Sequence, residues 1–476
     1  MTNSSSKASL LEGLSFGQRV AEQEPKLEEY FVETLIWRKI LRGEVDIVYG
    51  MKGSGKSAIF HLLSTGRAVP QNVKIIPAED TRGDPVFSAI KQDPPTSEIQ
   101  FVYLWKLYIL SLIASDPQIL EILKRDHSEL VEQLSSVGVI GDDKARILSR
   151  VLKYVDSVSV STVEIKLKDP GESKKSIDVD EVLKLLNSIL KQNGKIVWIL
   201  FDRLDAVFDY NTELEQNALR ALFRVYQDSA KYDSIRLKIF LRKDIWKSLT
   251  EKGMREGSHI TLSDSIEWSE PNIVNLIVRR LLSNPEIVSA FNVDSQSVLN
   301  NYELQKDFFY RVFPKQIDAG SRKSETIRWL MARVSDGTQK IAPRELIHLL
   351  NEAKDGQINA MELGEAAPPG ENLFTPTAIK NALPPVSQAR MEQTIFAEYP
   401  DLKKFILMLE GEKATQSIES LMKIWDMSIE DAVDMASRLV DIGFFETRGD
   451  KRNPEFRVPF LYRPYLKLIQ GKADEE

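Results

Sequence analysis

Gly50, Gly55, Lys56 and Ser57 stand at the spacing G-x-x-x-x-G-K-S within the run Val45-Asp46-Ile47-Val48-Tyr49-Gly50-Met51-Lys52-Gly53-Ser54-Gly55-Lys56-Ser57. Small residues at this spacing let consecutive backbone N–H groups curl round a phosphate, while the lysine ammonium meets phosphate oxygens and the hydroxyl ligates Mg2+. Gly50, Lys52, Gly53, Ser54, Gly55, Lys56 and Ser57 are therefore candidate nucleotide-binding residues. The competing reading is a tight glycine turn joining a strand to a helix, with no ligand.

Phosphoryl chemistry also needs a carboxylate for the metal and a group to orient or deprotonate water. The run Lys195-Ile196-Val197-Trp198-Ile199-Leu200-Phe201-Asp202-Arg203-Leu204-Asp205 ends an apolar strand in Asp202, a candidate Mg2+ ligand together with Ser57. Asp205, three residues on, is a candidate for activating the water. The alternatives are a helix N-cap for Asp202 and a cap or solvated loop carboxylate for Asp205. A further run, Arg236-Leu237-Lys238-Ile239-Phe240-Leu241, ends in Arg242-Lys243-Asp244. Arg242 either contacts the terminal phosphate, which its guanidinium fork matches, or pairs with Asp244 or Asp202.

These groups meet only if the strands are parallel and end on one edge. The runs at 47–49 and 196–201 are continuously apolar, as in strands covered on both faces, and 237–241 is apolar apart from Lys238; ligands of open α/β sheets bind outside the carboxyl ends of such strands. A helix is expected from Lys56 through Ala58, Ile59, Phe60, Leu62 and Leu63, its N-terminus aimed at the anion, and residues 73–76 suggest another strand. Residues 16–43 read as amphipathic helical sequence whose apolar stripe, including Tyr30, Ile36 and Trp37, is core. An insertion over about 116–170 contains charged helices and then strand or hairpin patterning over Val158, Val160, Val163, Ile165 and Leu167. It either couples nucleotide state to a partner or elaborates the sheet edge.

The phosphate loop, the Asp202 strand and the strand ending at Arg242 together resemble the P-loop ATPases of the AAA+ and STAND groups, and the Asp-x-Leu-Asp form is similar to that of KAP-type bacterial ATPases. The stretch Ile341-Ala342-Pro343-Arg344-Glu345-Leu346-Ile347-His348 resembles the helical lid of origin-recognition-type and STAND ATPases, which implies that Arg344 reaches the nucleotide. The resemblance implies an α/β P-loop NTPase fold, a parallel sheet between helices, with an α-helical lid, ATP and Mg2+ as cofactors, ATP hydrolysis and homo-oligomerisation. Two features depart from it. Arg203 stands where many AAA+ proteins carry a glutamate, and Arg220, Arg224 and Arg255 are only positional candidates for an arginine finger.

The chain lacks a serine-glycine signature of the ABC type ahead of Asp202 and the H-R-D and D-F-G motifs of protein kinases. It has no cysteine and four scattered histidines, which excludes disulfides, thiolate zinc sites and cysteine nucleophiles and argues against a histidine metal cluster. The polar, serine-rich start is unlike a signal peptide, and the longest apolar stretch, 101–114, contains Lys106 and reads as a buried helix. A cytoplasmic protein with no membrane partner is expected. The net charge of -7, with both signs mixed, argues against a broadly basic nucleic-acid binder.

The expected organisation is a disordered tail at 1–15, an ATPase domain at 16–265, a helical lid at 266–354, a linker with little helix at 355–390 and a winged-helix domain at 391–476. In the last, helices over 402–409 and 417–424 precede a third capped by Ser428, and two strands follow it. The third helix carries Glu430, Asp431, Asp434 and Asp441 against Arg438, which disfavours the major groove, whereas Arg448, Lys451, Arg452 and Arg457 make the wing locally basic. The expected function is an oligomerising ATP-dependent switch that controls a protein effector, with bacterial anti-phage defence implied by resemblance. The alternatives are a DNA-binding ATPase of replication or partition and a scaffold that binds nucleotide without turnover.

Overall fold

A computed structural model describes residues 4–66, 68–79, 97–136, 138–141, 178–204, 212–251, 260–450 and 453–473. The chain divides into two compact units, a helical unit of Met1–Val32, Lys52–Gly55 and Glu267–Glu476, and a sheet unit of Glu33–Met51 and Lys56–Ile266.

Among the described residues of the sheet unit, five parallel strands are ordered β2-β3-β4-β1-β5: β1 Ile47–Gly50, β2 Val73–Pro77, β3 Ile196–Phe201, β4 Ile235–Arg242 and β5 Ser263–Ser265. The apolar runs of β1, β3 and β4 are buried because helices supply the covering layers. Helix Lys56–Ser64 inserts Ile59, Phe60, Leu62 and Leu63. Helix Glu98–Ser115, opened by a capping box at Ser97, is buried along most of its length; Lys106 survives there because Asp180 at 3.0 Å and Asp228 at 2.8 Å hold its ammonium. No described helix is long and apolar enough to cross a membrane. From β1 the chain crosses to β2 at the far edge and returns through β3 and β4, so β1 and β3 are separated by one strand.

One buried charge pair fixes the seam between β1 and β4. Lys238 on β4 is 1% exposed; it donates to the Asp46 carboxylate at 2.7 Å and the Val45 carbonyl at 2.6 Å, and lies 4.3 Å from the ring centroid of Trp198.

The helical unit corrects two expectations. Where a disordered tail is expected at 1–15, Ser4–Gly13 is a helix that buries Leu10 and Leu11 and leads to buried Leu14 and Phe16. Its Lys7, 2% exposed, donates to the carbonyls of Pro368, Gly370 and Asn372 at 2.7, 2.7 and 2.9 Å. Where a linker with little helix is expected at 355–390, helix Pro343–Glu362 runs on and helices Pro376–Asn381 and Leu383–Arg390 follow. Pro376, Pro384 and Pro385 occupy first-turn positions, which need no N–H donor, so they open helices instead of breaking them.

Residues 16–43 contain only short helical pieces, among them Leu27–Tyr30 and Leu35–Leu41. The carbonyls of Phe16 and Tyr30 are taken by the buried guanidinium of Arg280 at 2.8 and 3.3 Å, and Tyr30, Ile36 and Trp37 are core residues. The strand patterning expected over 158–167 lies outside the described residues.

The C-terminal part is a winged helix. Strand β6, Lys413–Gln416, stands between helices Lys403–Leu407 and Ile418–Trp425; helix Ile429–Asp441 follows, with Ser428 accepting from the Asp431 amide. Strands β7, Glu446–Asp450, and β8, Asn453–Arg457, form the antiparallel wing, and β9, Ile469–Lys472, completes a sheet ordered β7-β8-β6-β9. The loop ahead of helix Pro343–Glu362 packs directly on this domain: the Gly337 amide donates to the Gly443 carbonyl at 2.6 Å, and a Cβ at Gly337 would strike the Phe445 carbonyl.

Candidate nucleotide site

In the sheet unit the candidate residues stand at the carboxyl ends of β1, β3 and β4. Lys56 and Ser57 open helix Lys56–Ser64, where first-turn N–H groups, which have no intrahelical acceptor, and the helix dipole favour an anion. The Lys56 ammonium folds back onto the carbonyls of Gly50 at 2.9 Å and Met51 at 3.0 Å. Ser57 Oγ donates to Asp202 Oδ2 at 3.1 Å, and Asp202 is 3% exposed. A hydroxyl and a buried carboxylate so placed make two oxygen ligands of the kind Mg2+ takes alongside substrate phosphates and water. A serine hydroxyl and a carboxylate fit this ion's preference for oxygen ligands.

Directly after Asp202, Arg203 has φ of +53°, a left-handed conformation that costs a residue with a Cβ about 1 kcal/mol or more. Arg242 ends β4 in register with Gly50, so it stands beside the strand end from which the phosphate loop departs. Its guanidinium grips Asp244 with two hydrogen bonds, of 3.1 and 2.6 Å. Asp205 and Arg255 lie outside the described residues, and Arg224 pairs with Glu98 at 2.9 Å.

Reading the sequence missed Glu79. It is 2% exposed, two residues beyond β2, whose Pro77 is in register with Leu200 of β3. The signal was an acidic residue just past an apolar strand, the same placing that marks Asp202.

In the helical unit, the middle of the loop is tightly enclosed. Gly53 has φ of +81°, and a Cβ there would lie 3.1 Å from Arg344 Cβ and 3.4 Å from Ala342 Cβ. Ser54 is 3% exposed, and its carbonyl accepts from Trp268 Nε1 at 2.9 Å. Lys52 pairs with Glu398 at 2.5 Å. Arg344, in the first turn of helix Pro343–Glu362, donates through Nε to the Arg19 carbonyl at 3.3 Å.

A cavity of about 180 Å³ opens here, lined by Arg19, Lys52, Arg344, His348 and Arg390 among others, and Glu345 answers Arg390 at 2.9 Å. Arg19 Nη1 lies 3.2 Å from His348 Nδ1. Burial, and then the Arg19 charge, hold the His348 imidazole below its ordinary 6.5, against the pull of Glu352 at 3.3 Å.

In the winged helix, Arg448 and Arg457 on the wing strands face Glu446 at 3.1 and 3.7 Å, and Lys451 and Arg452 lie outside the described residues. On helix Ile429–Asp441, Ile429 and Val433 are 53% and 50% exposed one turn apart, and Arg438 is paired with Asp401.

No protein-family model matches the chain, and no curated protein matches it. Among solved structures, the Aeropyrum pernix ORC2 protein in ADPNP–ADP complexes is similar at 11% identity, with 90% of this chain and 88% of that chain covered and a TM-score of 0.40. The ADP form of the same protein gives 10% identity, 94% and 91% coverage and a TM-score of 0.28. At such scores the likeness carries no argument; the α/β P-loop fold stands on this chain's own sheet, loop and winged helix.

Proposed function

We propose that the chain is an ATP-binding, ATP-hydrolysing switch of the AAA+/STAND type. The observation that carries this reading is the hydrogen bond from Ser57 to Asp202, which joins the last residue of the phosphate loop to the carboxylate ending β3. Lys56 and the loop amides hold the phosphates, and Ser57 and Asp202 hold Mg2+; that Arg344 reaches the nucleotide is what the resemblance implies. When bound, Mg2+ neutralises charge on the phosphate oxygens. Asp205 or Glu79 orients the attacking water, and Arg242, once released from Asp244, meets the terminal phosphate.

The switch controls a protein partner. Support comes from the winged helix, whose third helix offers exposed Ile429 and Val433 among acidic residues, a surface suited to a protein and opposed to the phosphates that flank a major groove. Assembly into a homo-oligomer, a cytoplasmic setting and a role in anti-phage defence follow from the resemblance alone. Steady-state release of phosphate from Mg-ATP tests the enzymatic part: turnover abolished by Asp202→Ala is expected, and nucleotide binding without any turnover would leave a nucleotide-gated scaffold.

A further inference from the structure

Away from the phosphate loop, three guanidinium groups of the helical unit converge on one aromatic ring. The carbons of Arg333, Arg463 and Arg457 lie 3.7, 4.1 and 5.0 Å from the ring centroid of Phe460. They come from separate elements: Arg333 from helix Thr326–Val334, Arg457 from the end of β8, and Arg463 from the turns after it. Arg333 is also 4.6 Å from the ring of Trp329, so two rings fix it. Its side chain is 18% exposed and that of Arg457 20%, which leaves both within reach of solvent.

The carboxylates facing this cluster do not balance it. Asp318 stands 4.0 Å from Arg333 but is held by Lys380 at 2.7 Å and by Trp329 Nε1 at 2.9 Å. Glu446 stands 3.7 Å from Arg457 but is held by Arg448 at 3.1 Å and Gln339 at 2.9 Å. Among the described residues, five cations, Arg333, Arg448, Arg457, Arg463 and Lys380, thus face the two carboxylates of Asp318 and Glu446. Burial, and then the charges of Arg457, Arg333 and Arg448, push the Arg463 guanidinium down to about 10. Arg463 Nε donates to the Val458 carbonyl at 2.9 Å, which orients that guanidinium and leaves its Nη groups, whereas stacking on a ring holds a planar cation without taking up N–H donors.

We propose that Arg333, Arg457 and Arg463, arrayed round Phe460, form a second oxyanion site that binds phosphate groups of a ligand other than the nucleotide at the phosphate loop. A guanidinium fork matches two phosphate oxygens, and several forks on one group outcompete water where a single surface arginine does not. The phosphates belong either to a nucleic-acid backbone, in line with the neighbouring wing, or to the end of a free phosphorylated molecule.

The test uses the full chain carrying Lys56→Ala, so that the phosphate loop is disabled in every sample and the result is independent of the ATPase reading. Pyrophosphate and a short duplex oligonucleotide are titrated by calorimetry into this protein and into versions that add Arg333→Gln or Arg457→Gln, with thermal melting to confirm folding. Binding of either probe that weakens at least about tenfold in both variants is expected. Pyrophosphate alone would identify a free phosphorylated ligand, and the oligonucleotide alone a nucleic-acid backbone. Absence of binding by either probe, or affinities unchanged in a folded variant, would overturn the proposal.

Discussion

Ser57 Oγ and Asp202 Oδ2 lie 3.1 Å apart although 145 residues separate them along the chain. The first sits at the N-terminus of the helix after β1 and the second at the end of β3, two strands away in the sheet. Two oxygens so placed predict a metal effect. Ser57→Ala and Asp202→Ala should each weaken ATP binding in the presence of Mg2+ while changing metal-free binding little. Calorimetry with Mg2+ and with chelator measures this, and equal losses under both conditions would assign the pair a structural role.

Turnover should separate two carboxylates. Glu79→Gln and Asp205→Asn both keep side-chain volume and remove a base, so the residue that orients water should lower the rate of phosphate release by about a hundredfold or more while leaving ATP bound. Single-turnover assays on both variants distinguish them. Unchanged rates in both would move the role to another group.

In the sheet unit, Lys238 and Asp46 form a pair at 2.7 Å with side chains 1% and 7% exposed. Asp46→Ala leaves a buried ammonium facing the Val45 carbonyl and the Trp198 ring without its counter-charge, so it should destabilise the protein by about 3 kcal/mol or more. Lys238→Met, which removes the charge with the stem retained, should cost less than Asp46→Ala. Denaturant unfolding ranks the two, and the reverse order would contradict the account.

His348 predicts an acid-side loss of stability. Its proton is held more weakly in the folded chain than at the ordinary 6.5, with burial and then Arg19 opposing the charge and Glu352 and Glu345 favouring it. The unfolded chain therefore binds more protons just below pH 6.5, and stability falls as pH drops through that range toward the lowered folded value. His348→Gln should flatten this part of a melting-temperature profile. A profile as steep as that of the parent would remove His348 from the explanation.

The parts legible in the sequence were those with local signals. β1 and β3 are apolar runs, β4 is one interrupted by Lys238, and glycine spacing marks the loop, so Ser57 and Asp202 are recognisable from the sequence. β5 is Ser-Asp-Ser and becomes a strand only by pairing with β1, a tertiary effect without an apolar pattern. Helix Ser4–Gly13 was hidden because Lys7 is satisfied by carbonyls more than 360 residues away. The helices over 376–390 were hidden because proline reads as a breaker unless its place in the first turn is known. Glu79 was passed over because its burial depends on the sheet edge, which sequence does not display.

The most direct measurement of the central claim is Mg-ATP affinity in the parent and in Lys56→Ala. Lys56 brings a positive charge to the start of the helix, and its contacts include the carbonyls of Gly50 and Met51, which a phosphate, being charged, displaces readily. Calorimetry should show saturable binding by the parent and at least about a tenfold loss in a folded Lys56→Ala protein. Equal affinity in the two proteins, or no binding by the parent, would contradict the assignment of Gly50 to Ser57 as a nucleotide site.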